Sequence, residues 1–549
     1  MPQESSSSDS NDRQAQRPRQ REERPAIAPD NMPEDPPEYG EDGLHVLNDS
    51  GEFLADEVVI VGERLDGNDV TTKMAKTTKK TNSPASSDEG GIPAQVAVDD
   101  YKQAGEADIA QRIIEADRRD REERVWRRRH TTNPFLHALQ LVIPYGGIVS
   151  SAFSIASSTI GGGIIGLPSA FQMSGLGMAT IYLLIVMTMA IYSFVLLAIV
   201  SQKTGLYNWE LIARRLMGPG WDYAVVFVMW VLCFGGDVSY IIALKSILSG
   251  FLKNSESATA FLKSEGGFRV VTSMLWLVVI LPMCLLKEIN SLRIISTVAI
   301  LFVVFFTLTC IIHSGQTLHH RGMRDDLVYF QTGNTAINGL SSLMFAFIAQ
   351  VNAPEISREM YKFSVHRVFL SALLGMVLCA VLYFLTGLFG YLDFGPEVSD
   401  SILAMYNPMK DHLMAVSYVG MLLKICVGFS LHLIPCRDCV YYVLGTEAIH
   451  VPWWKNALLC SLQAAVALVA GLFIPRISTV FGLLGGFCGG SVGFIFPSFF
   501  MMYSGGFTAA RLGWPHFLGT YALLVVGVIA VVWGTSAAVY GAATTDWSE

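Results

Sequence analysis

Charged side chains are scarce in this sequence. They make up 16% of its 549 residues, whereas a soluble domain carries about a quarter. Many of them lie before Thr131, so the formal net charge of −8 describes the amino-terminal segment more than the rest of the chain. After Thr131 come repeated runs of about twenty apolar residues, the length that crosses the hydrocarbon core of a bilayer. Because a soluble protein could not expose such runs, the sequence predicts an all-α polytopic membrane protein in a lipid bilayer, and we expect no nucleic-acid partner.

The residue types of catalytic and metal sites are scarce or dispersed. A membrane-embedded enzyme acting on lipids needs His, Asp or Glu clustered at one depth, and the sequence shows no such cluster. Nearly all of the 9 cysteines fall within apolar runs, which argues against a disulfide framework. Cys436 and Cys439 form a CxxC pair with no second pair nearby, so they indicate reduced thiols rather than zinc ligands. We therefore expect no enzyme activity, no catalytic residue, no metal ion and no cofactor.

The first 130 residues have a different composition from the rest. They are rich in Ser, Pro, Asp, Glu, Arg and Gln, and such a segment buries too little apolar surface to offset the entropy of ordering. Arg124 and the run Arg127–Arg129 lie just before the first apolar run, and a basic cluster there prefers the cytosolic leaflet. We predict a disordered, cytosolic amino-terminal tail at 1–130, followed by a transmembrane domain at 131–549.

About eleven apolar spans fit into this transmembrane domain. If the amino terminus is cytosolic, the connections on the cytosolic side carry a modest excess of Lys and Arg, as the positive-inside rule requires. An odd number of spans then puts Glu549 on the outer or luminal side. Two locations stay open, the plasma membrane and a membrane of the vacuolar or lysosomal type.

The first span contains residues that are unfavourable in the interior of a helix. In "SSTIGGGIIGLPSAFQMSG", residues Gly161–Gly166 precede Pro168, which predicts an unwound segment inside the membrane. Irregular backbone survives there only where it faces protein or a polar cavity. The freed amides and the positive end of the following half-helix favour an anion such as a carboxylate. The alternative is that these glycines only allow two helices to pack closely.

The sixth span is interrupted as well. Its stretch "AINGLSSLMFAFIAQVNAPEISREM" is broken by Asn338 and Gly339 and ends near Asn352 and Pro354. Two interrupted helices in corresponding positions of two halves indicate a transporter built from inverted repeats. Freed carbonyls at the second break accept hydrogen bonds from an ammonium group. Together the two breaks predict a pocket for a zwitterion.

Four stretches of this sequence resemble the amino acid/auxin permease family. They are "SSTIGGGIIGLPSAFQMSG" in the first helix, "LCFGGDVSYIIALKSIL" in the third, "LLKEINSLRIIS" between the fourth and fifth, and "IPCRDCV" at the end of the eighth. The resemblance covers about Phe135 to Tyr540 and implies eleven helices in a five-plus-five inverted repeat, with broken first and sixth helices and alternating access for amino acids. The long polar tail and the extra glycine favour the permeases of trypanosomatid parasites.

The sequence departs from the sodium-coupled members of that family. Those members carry an Asn where Ser157 stands here, and a hydroxyl on the eighth helix where this chain reads "LLKICVGFSLHLIP". We therefore expect no sodium coupling. The ammonium of Lys424, in the middle of the eighth span, is expected to substitute for the sodium ion or to exchange a proton.

Ionisable residues inside the spans require an explanation, because inserting each charged side chain into the bilayer costs at least about 2.5–3.5 kcal/mol of free energy on insertion scales. Asp237, in the third span, is a candidate partner for the cationic side chain of a substrate such as arginine or lysine. The alternative is that Asp237 pairs with Lys424 or with another polar group to hold the bundle together. His432 is a candidate proton relay, and the alternative is an ordinary hydrogen-bonding histidine.

Our interpretation is a secondary active amino acid transporter, a permease of the symport type with proton coupling as one option. The alternative is an amino acid sensor or receptor of the same fold that signals through the tail. No oligomeric state is favoured. The candidate substrate-binding residues are the backbone groups of Gly161, Gly162, Gly163 and Ile164 for the carboxylate, those of Phe345 and Ala346 for the amine, Tyr240 as the residue that lines or closes the pocket, and Ser157, Thr159 and Asp237.

Overall fold

The computed structural model describes residues 145–285, 290–446 and 451–544, with the side chains at 290–298 left out of the description. The predicted tail, 1–130, lies outside the described residues. Within the described ranges every regular element is a helix. The prediction of an all-α protein is therefore confirmed for this part of the chain.

Eleven apolar spans account for most of the described residues. Ten of them are helices of membrane-crossing length, and the remaining one, the first, consists of two helices bent by 53°. Numbered in chain order, the spans are Ile148–Thr159 with Gly162–Ser174, Leu176–Thr204, Trp221–Asn254, Glu265–Cys284, Ala299–Arg321, Asn334–Glu359, Val365–Glu397, His412–Val443, Trp453–Phe473, Ile477–Tyr503 and Trp514–Ala543. Their length and apolar composition are those of helices that cross a bilayer, so the predicted number of spans is confirmed.

Several spans contain irregular turns. The sixth span consists of Asn334–Ala346, a 3₁₀ turn at Gln350–Asn352 and Ala353–Glu359. Wider π-type turns occur at Trp276–Ile280, Leu484–Ile495 and Ala530–Gly534 in the fourth, tenth and eleventh spans, and such turns are common at functional sites. The seventh span ends in a 3₁₀ turn at Gly395–Glu397. Outside the spans, Trp209–Met217 forms a short amphipathic helix, and the connection between spans seven and eight contains a 3₁₀ turn at Ile402–Ala404.

The packing of the spans repeats at an interval of five. The first span packs against the seventh, and the sixth packs against the second. The third span packs against the ninth and tenth, and the eighth packs against the fourth and fifth. The third and eighth spans also pack against each other, as do the first and sixth. Because five is odd, the second set of spans begins on the opposite side of the bundle from the first, so the repeat is inverted and the five-plus-five arrangement is confirmed.

Two faces of the bundle follow from this order. We call the side on which the first span begins the amino-terminal face, and the side on which it ends the carboxyl-terminal face. The connections 205–220 and 360–364 lie on the amino-terminal face, whereas 398–411 and 474–476 lie on the carboxyl-terminal face. The two breaks of the first and sixth spans lie between these faces.

Candidate substrate site between the broken spans

The first span loses its helical winding at Ile160 and Gly161. The amide of Ile160 still donates to the carbonyl of Ala156 at 2.8 Å, but the amide of Gly161 turns back to the carbonyl of Thr159 at 2.8 Å. A 3₁₀ segment at Gly162–Gly166 then leads into the second half-helix, Leu167–Ser174. The first amides of a helix have no helical acceptors, and the helix dipole is positive at this end. The break therefore has the properties of a carboxylate site.

The glycines of this break allow other spans to approach its backbone. A Cβ atom at Gly161 would lie 2.8 Å from Oη of Tyr240, and one at Gly162 would lie 3.2 Å from the Tyr240 ring. A Cβ atom at Gly163 would lie 3.3 Å from Ala346 in the sixth span. Close packing, the alternative that the sequence left open, is thus one reason for these glycines, and it is compatible with the unwound backbone beside them.

The sixth span breaks directly opposite. Its first helix ends at Ala346, and the next amides, those of Phe347 and Ile348, reach back only three residues, to Met344 and Phe345. The amide of Ala349 donates to the side-chain carbonyl of Gln350 at 3.0 Å. The carbonyl of Phe345 thus accepts one bond from Ile348, and because a carbonyl oxygen has two lone pairs, it can accept a second one from a ligand.

Tyr383 of the seventh span connects the two breaks. Its Oη lies 2.8 Å from the carbonyl oxygen of Thr159 and 3.0 Å from that of Ala346. A hydroxyl carries one proton, so it donates to one carbonyl at a time. Tyr383 was not among the residues predicted from the sequence. The available signal is that a tyrosine buried in an apolar run needs a partner for its hydroxyl, but this does not say which partner.

Tyr240 fills the space beside the first break. Its ring lies against Gly161 and Gly162, and its Oη would be 2.7 Å from a Cβ atom at Gly428 in the eighth span. Its ring also meets the edge of the His432 ring, with centroids 5.3 Å apart. The structure therefore places Tyr240 against the glycines of the first break, and its role in closing a pocket stays a prediction.

Lys424 reaches the end of the first half-helix. Its Nζ donates to the carbonyl oxygen of Ser157 at 3.2 Å, and its side chain is buried. A cation at the carboxyl end of a helix is favoured by the negative end of the helix dipole. Lys424 thus places a positive charge between the first and eighth spans. Thr159, two residues later, directs its hydroxyl to the carbonyl of Ile155 at 2.7 Å.

Asp237 is buried without a hydrogen-bond partner among the described residues for either carboxyl oxygen. Its neighbour Gly236 faces the eighth span, where a Cβ atom would lie 2.5 Å from Nδ1 of His432. That nitrogen also has no partner within the described part of the chain. The two carboxyl oxygens of Asp237 therefore make no hydrogen bond to Lys424 either. Buried polar groups without partners are costly, which makes this region a candidate for function.

Two solved structures are similar to this chain. Two variants of a manganese transporter from Eremococcus coleocola match with TM-scores of 0.46 and 0.44, at 15% sequence identity in both cases. Each alignment covers 75% of this chain and 88% of the transporter chain.

The family comparison covers most of the sequence. Residues 145–540 match the family described as transmembrane amino acid transporter protein. The matched range includes both breaks and Tyr383, Lys424 and Asp237. This match confirms the amino acid permease resemblance, whereas the trypanosomatid type stays a prediction. The chain belongs to the family of transmembrane amino acid transporter proteins and is a transporter rather than an enzyme.

Proposed function

We propose that this protein is a secondary active transporter that binds the ammonium and carboxylate groups of an amino acid between the first and sixth spans. The observation that carries the proposal is the meeting of the two breaks. Gly163 of the first break lies against Ala346 of the second, and Tyr383 Oη reaches carbonyl oxygens of both spans. One break offers amides and the other carbonyls, so their polarity is complementary to a zwitterion.

The substrate groups divide between the two spans. The carboxylate binds the amides of Gly161, Gly162, Gly163 and Ile164, and the ammonium binds the carbonyls of Phe345 and Ala346. Ser157 and Thr159 supply further polar contacts from the end of the first half-helix. Tyr240 closes this pocket, because its ring lies against the glycines that would hold the carboxylate, and it must turn away before a substrate can reach them.

Alternating access is supported by the difference between the two faces. On the amino-terminal face, Trp209 Nε1 donates to the carbonyl of Val351 at 2.9 Å, and the amide of Tyr361 donates to the carbonyl of Gly146 at 3.0 Å. On the carboxyl-terminal face, a cavity of 390 Å³ opens between the third span and the connections 398–411 and 474–476. In our proposal the amino-terminal contacts break when the carboxyl-terminal cavity closes.

Selectivity and coupling depend on the buried ionisable groups. Asp237 lies three residues before Tyr240, toward the amino-terminal face, and neutralises the side chain of a cationic amino acid. Lys424 takes the place of a coupled sodium ion, since its ammonium already binds a carbonyl of the first span. His432, which contacts Tyr240, exchanges the coupled proton. The amino-terminal face is cytosolic in this proposal, in either a plasma membrane or a membrane of the vacuolar or lysosomal type.

Uptake into liposomes tests this function. The full-length protein is reconstituted, and a panel of radiolabelled amino acids is offered with and without a pH gradient. We expect accumulation of basic amino acids above protein-free liposomes, driven by the proton gradient. Binding without accumulation under any gradient would contradict the proposal and favour a sensor of the same fold.

A further inference from the structure

A polar cavity on the carboxyl-terminal face has no role in the pocket described above. We call it the vestibule. It measures 390 Å³, and its polar lining consists of Ser246, Ser399, Asp400, Ser401 and Arg476. This volume lies within the range of about 300–1,000 Å³ that is typical of small-molecule pockets. The vestibule therefore has room for an amino acid.

Two opposite charges line the vestibule from different elements. Asp400 belongs to the connection between spans seven and eight, and Arg476 directly precedes the tenth span. The hydroxyl of Ser478 donates to Oδ2 of Asp400 at 2.9 Å and holds its carboxyl group in place. Burial raises the pKa of the Asp400 carboxyl, and Ser478 and Arg476 offset part of this effect. An ammonium group that binds there would favour the charged carboxylate further.

The vestibule adjoins the broken first span. The carbonyl oxygen of Asp400 would lie 3.6 Å from a Cβ atom at Gly166, and the turn Ile402–Ala404 packs against the segment Gly162–Gly166. A ligand in the vestibule is therefore close to the pocket between the broken spans.

Two aromatic side chains pack against the first break, which the vestibule adjoins. One is Tyr240. The other is Phe481. It lies one helical turn after Ile477 of the vestibule wall, and its ring stacks on that of Phe345 with ring centroids 4.7 Å apart. Phe481 also lies 2.7 Å from the position of a Cβ atom at Gly166. Phe481 therefore contacts both broken spans, and it lies on the same helix as Ile477 of the vestibule wall.

We propose that the vestibule is a second amino-acid-binding site, in which Asp400 binds the ammonium group and Arg476 the carboxylate before the substrate passes Tyr240 and Phe481. This inference builds on the proposed function and adds a separate capture site to it. The chemistry is that of any free α-amino acid, because both charges belong to the backbone of the substrate. The vestibule therefore captures substrates, whereas the deeper pocket selects among them.

Steady-state uptake separates capture from translocation. The test compares Asp400→Asn and Arg476→Gln with two controls on the same face, Glu397→Gln at the end of the seventh span and Lys410→Gln in the connection that follows. Both control side chains are exposed and are not part of the vestibule lining. We expect both vestibule variants to raise KM about tenfold, as loss of one charge-assisted hydrogen bond does. Their kcat, the maximal transport rate per protein, should stay within about twofold of wild type, because translocation from the deeper pocket is unchanged. The control variants should keep the KM of wild type.

Equilibrium binding gives an independent readout. In Gly161→Ala the added Cβ atom, close to Tyr240, blocks the deeper pocket. The vestibule is unchanged in this variant, and labelled amino acid should still bind there. Combining Gly161→Ala with Arg476→Gln should abolish that binding. Because Arg476 is exposed, its replacement does not disturb the buried core. Unchanged KM in both vestibule variants would overturn the capture site and leave the proposed function intact. Absence of uptake by the wild-type protein would instead contradict the proposed function itself.

Discussion

Tyr383 Oη donates a hydrogen bond of 2.8 Å to the carbonyl oxygen of Thr159, the last residue of the first half-helix. The same hydroxyl lies 3.0 Å from the carbonyl oxygen of Ala346, where the sixth span breaks. The interaction joins residues 224 positions apart in the chain. It stabilises two carbonyl groups that the loss of helical winding leaves without their usual partners.

Replacing Tyr383 with Phe removes this shared donor and leaves the ring in place. A buried hydrogen bond contributes about 1 kcal/mol, and an unsatisfied buried carbonyl costs about 1–3 kcal/mol. We therefore expect amino acid uptake to fall about tenfold. Tyr391→Phe is the matched control. Tyr391 lies on the same span as Tyr383, but its hydroxyl accepts from the amide of Val328 in the connection between the fifth and sixth spans. Equal uptake by the Tyr383 and Tyr391 variants would show that the bridge has no part in transport.

Gly161→Ala tests the close approach of the third span to the first. The added Cβ atom would lie 2.8 Å from Oη of Tyr240 but 3.8 Å from Cζ, so the conflict involves mainly the hydroxyl oxygen. We expect Gly161→Ala to abolish uptake, and the double variant with Tyr240→Phe to recover part of it.

Gly493→Ala is the control for this substitution, because a Cβ atom there meets no atom within 4 Å. It should transport like wild type. Full uptake by Gly161→Ala would refute the role of Tyr240 as the residue that closes the pocket.

Lys424→Met removes the cation that binds the Ser157 carbonyl at 3.2 Å. Hydrogen bonds to charged groups contribute about 1.5–3 kcal/mol, so we expect uptake to fall about ten- to a hundredfold. In the wild type, replacing external sodium by choline should leave uptake unchanged. Lys245→Met, which removes a lysine whose ammonium lies 3.9 Å from Glu265, should have little effect. Sodium-dependent uptake by the wild type would contradict the assignment.

Asp237→Asn keeps the size of the side chain and removes its charge. Because neither carboxyl oxygen has a partner among the described residues, the fold does not depend on that charge, and a neutral amide costs less to bury. We expect uptake of lysine and arginine to fall at least about tenfold while uptake of neutral amino acids persists in the same liposomes. A variant that retains full uptake of basic amino acids would remove Asp237 from the substrate site.

The sequence was sufficient to predict the number of spans and that the first and sixth of them are broken. The run Gly161–Gly166 with Pro168 is a local signal of the first break, because lipid penalises every unpaired backbone group. The expected interruption at Asn338 and Gly339 was wrong: both lie inside the helix Asn334–Ala346, and the sixth span breaks after it. The positions of Tyr240 and Lys424 beside the first span followed from the resemblance and from the cost of burying a charge. Both contact the first span in the structure, and their roles in binding and coupling stay predictions.

Other features of the site were not predictable from local sequence. Asp400 and Arg476 lie in connections that, taken alone, look like ordinary polar loops. They line one cavity only because the connections after the seventh and ninth spans lie beside the third span. The stacking of Phe481 on Phe345 likewise joins two apolar runs with no distinguishing pattern. Aromatic residues are common in such runs, so composition does not identify the pair.

The sequence by itself determined that this chain crosses the membrane about eleven times and that its first and sixth spans are broken, since bilayer thickness and backbone pairing act on each segment separately. The tertiary structure decided which side chains complete those breaks. Tyr383 Oη reaches the carbonyl oxygens of Thr159 and Ala346, and Asp400 lines the vestibule together with Arg476. The physical reason is that the packing of distant helices brings together residues that no local rule relates.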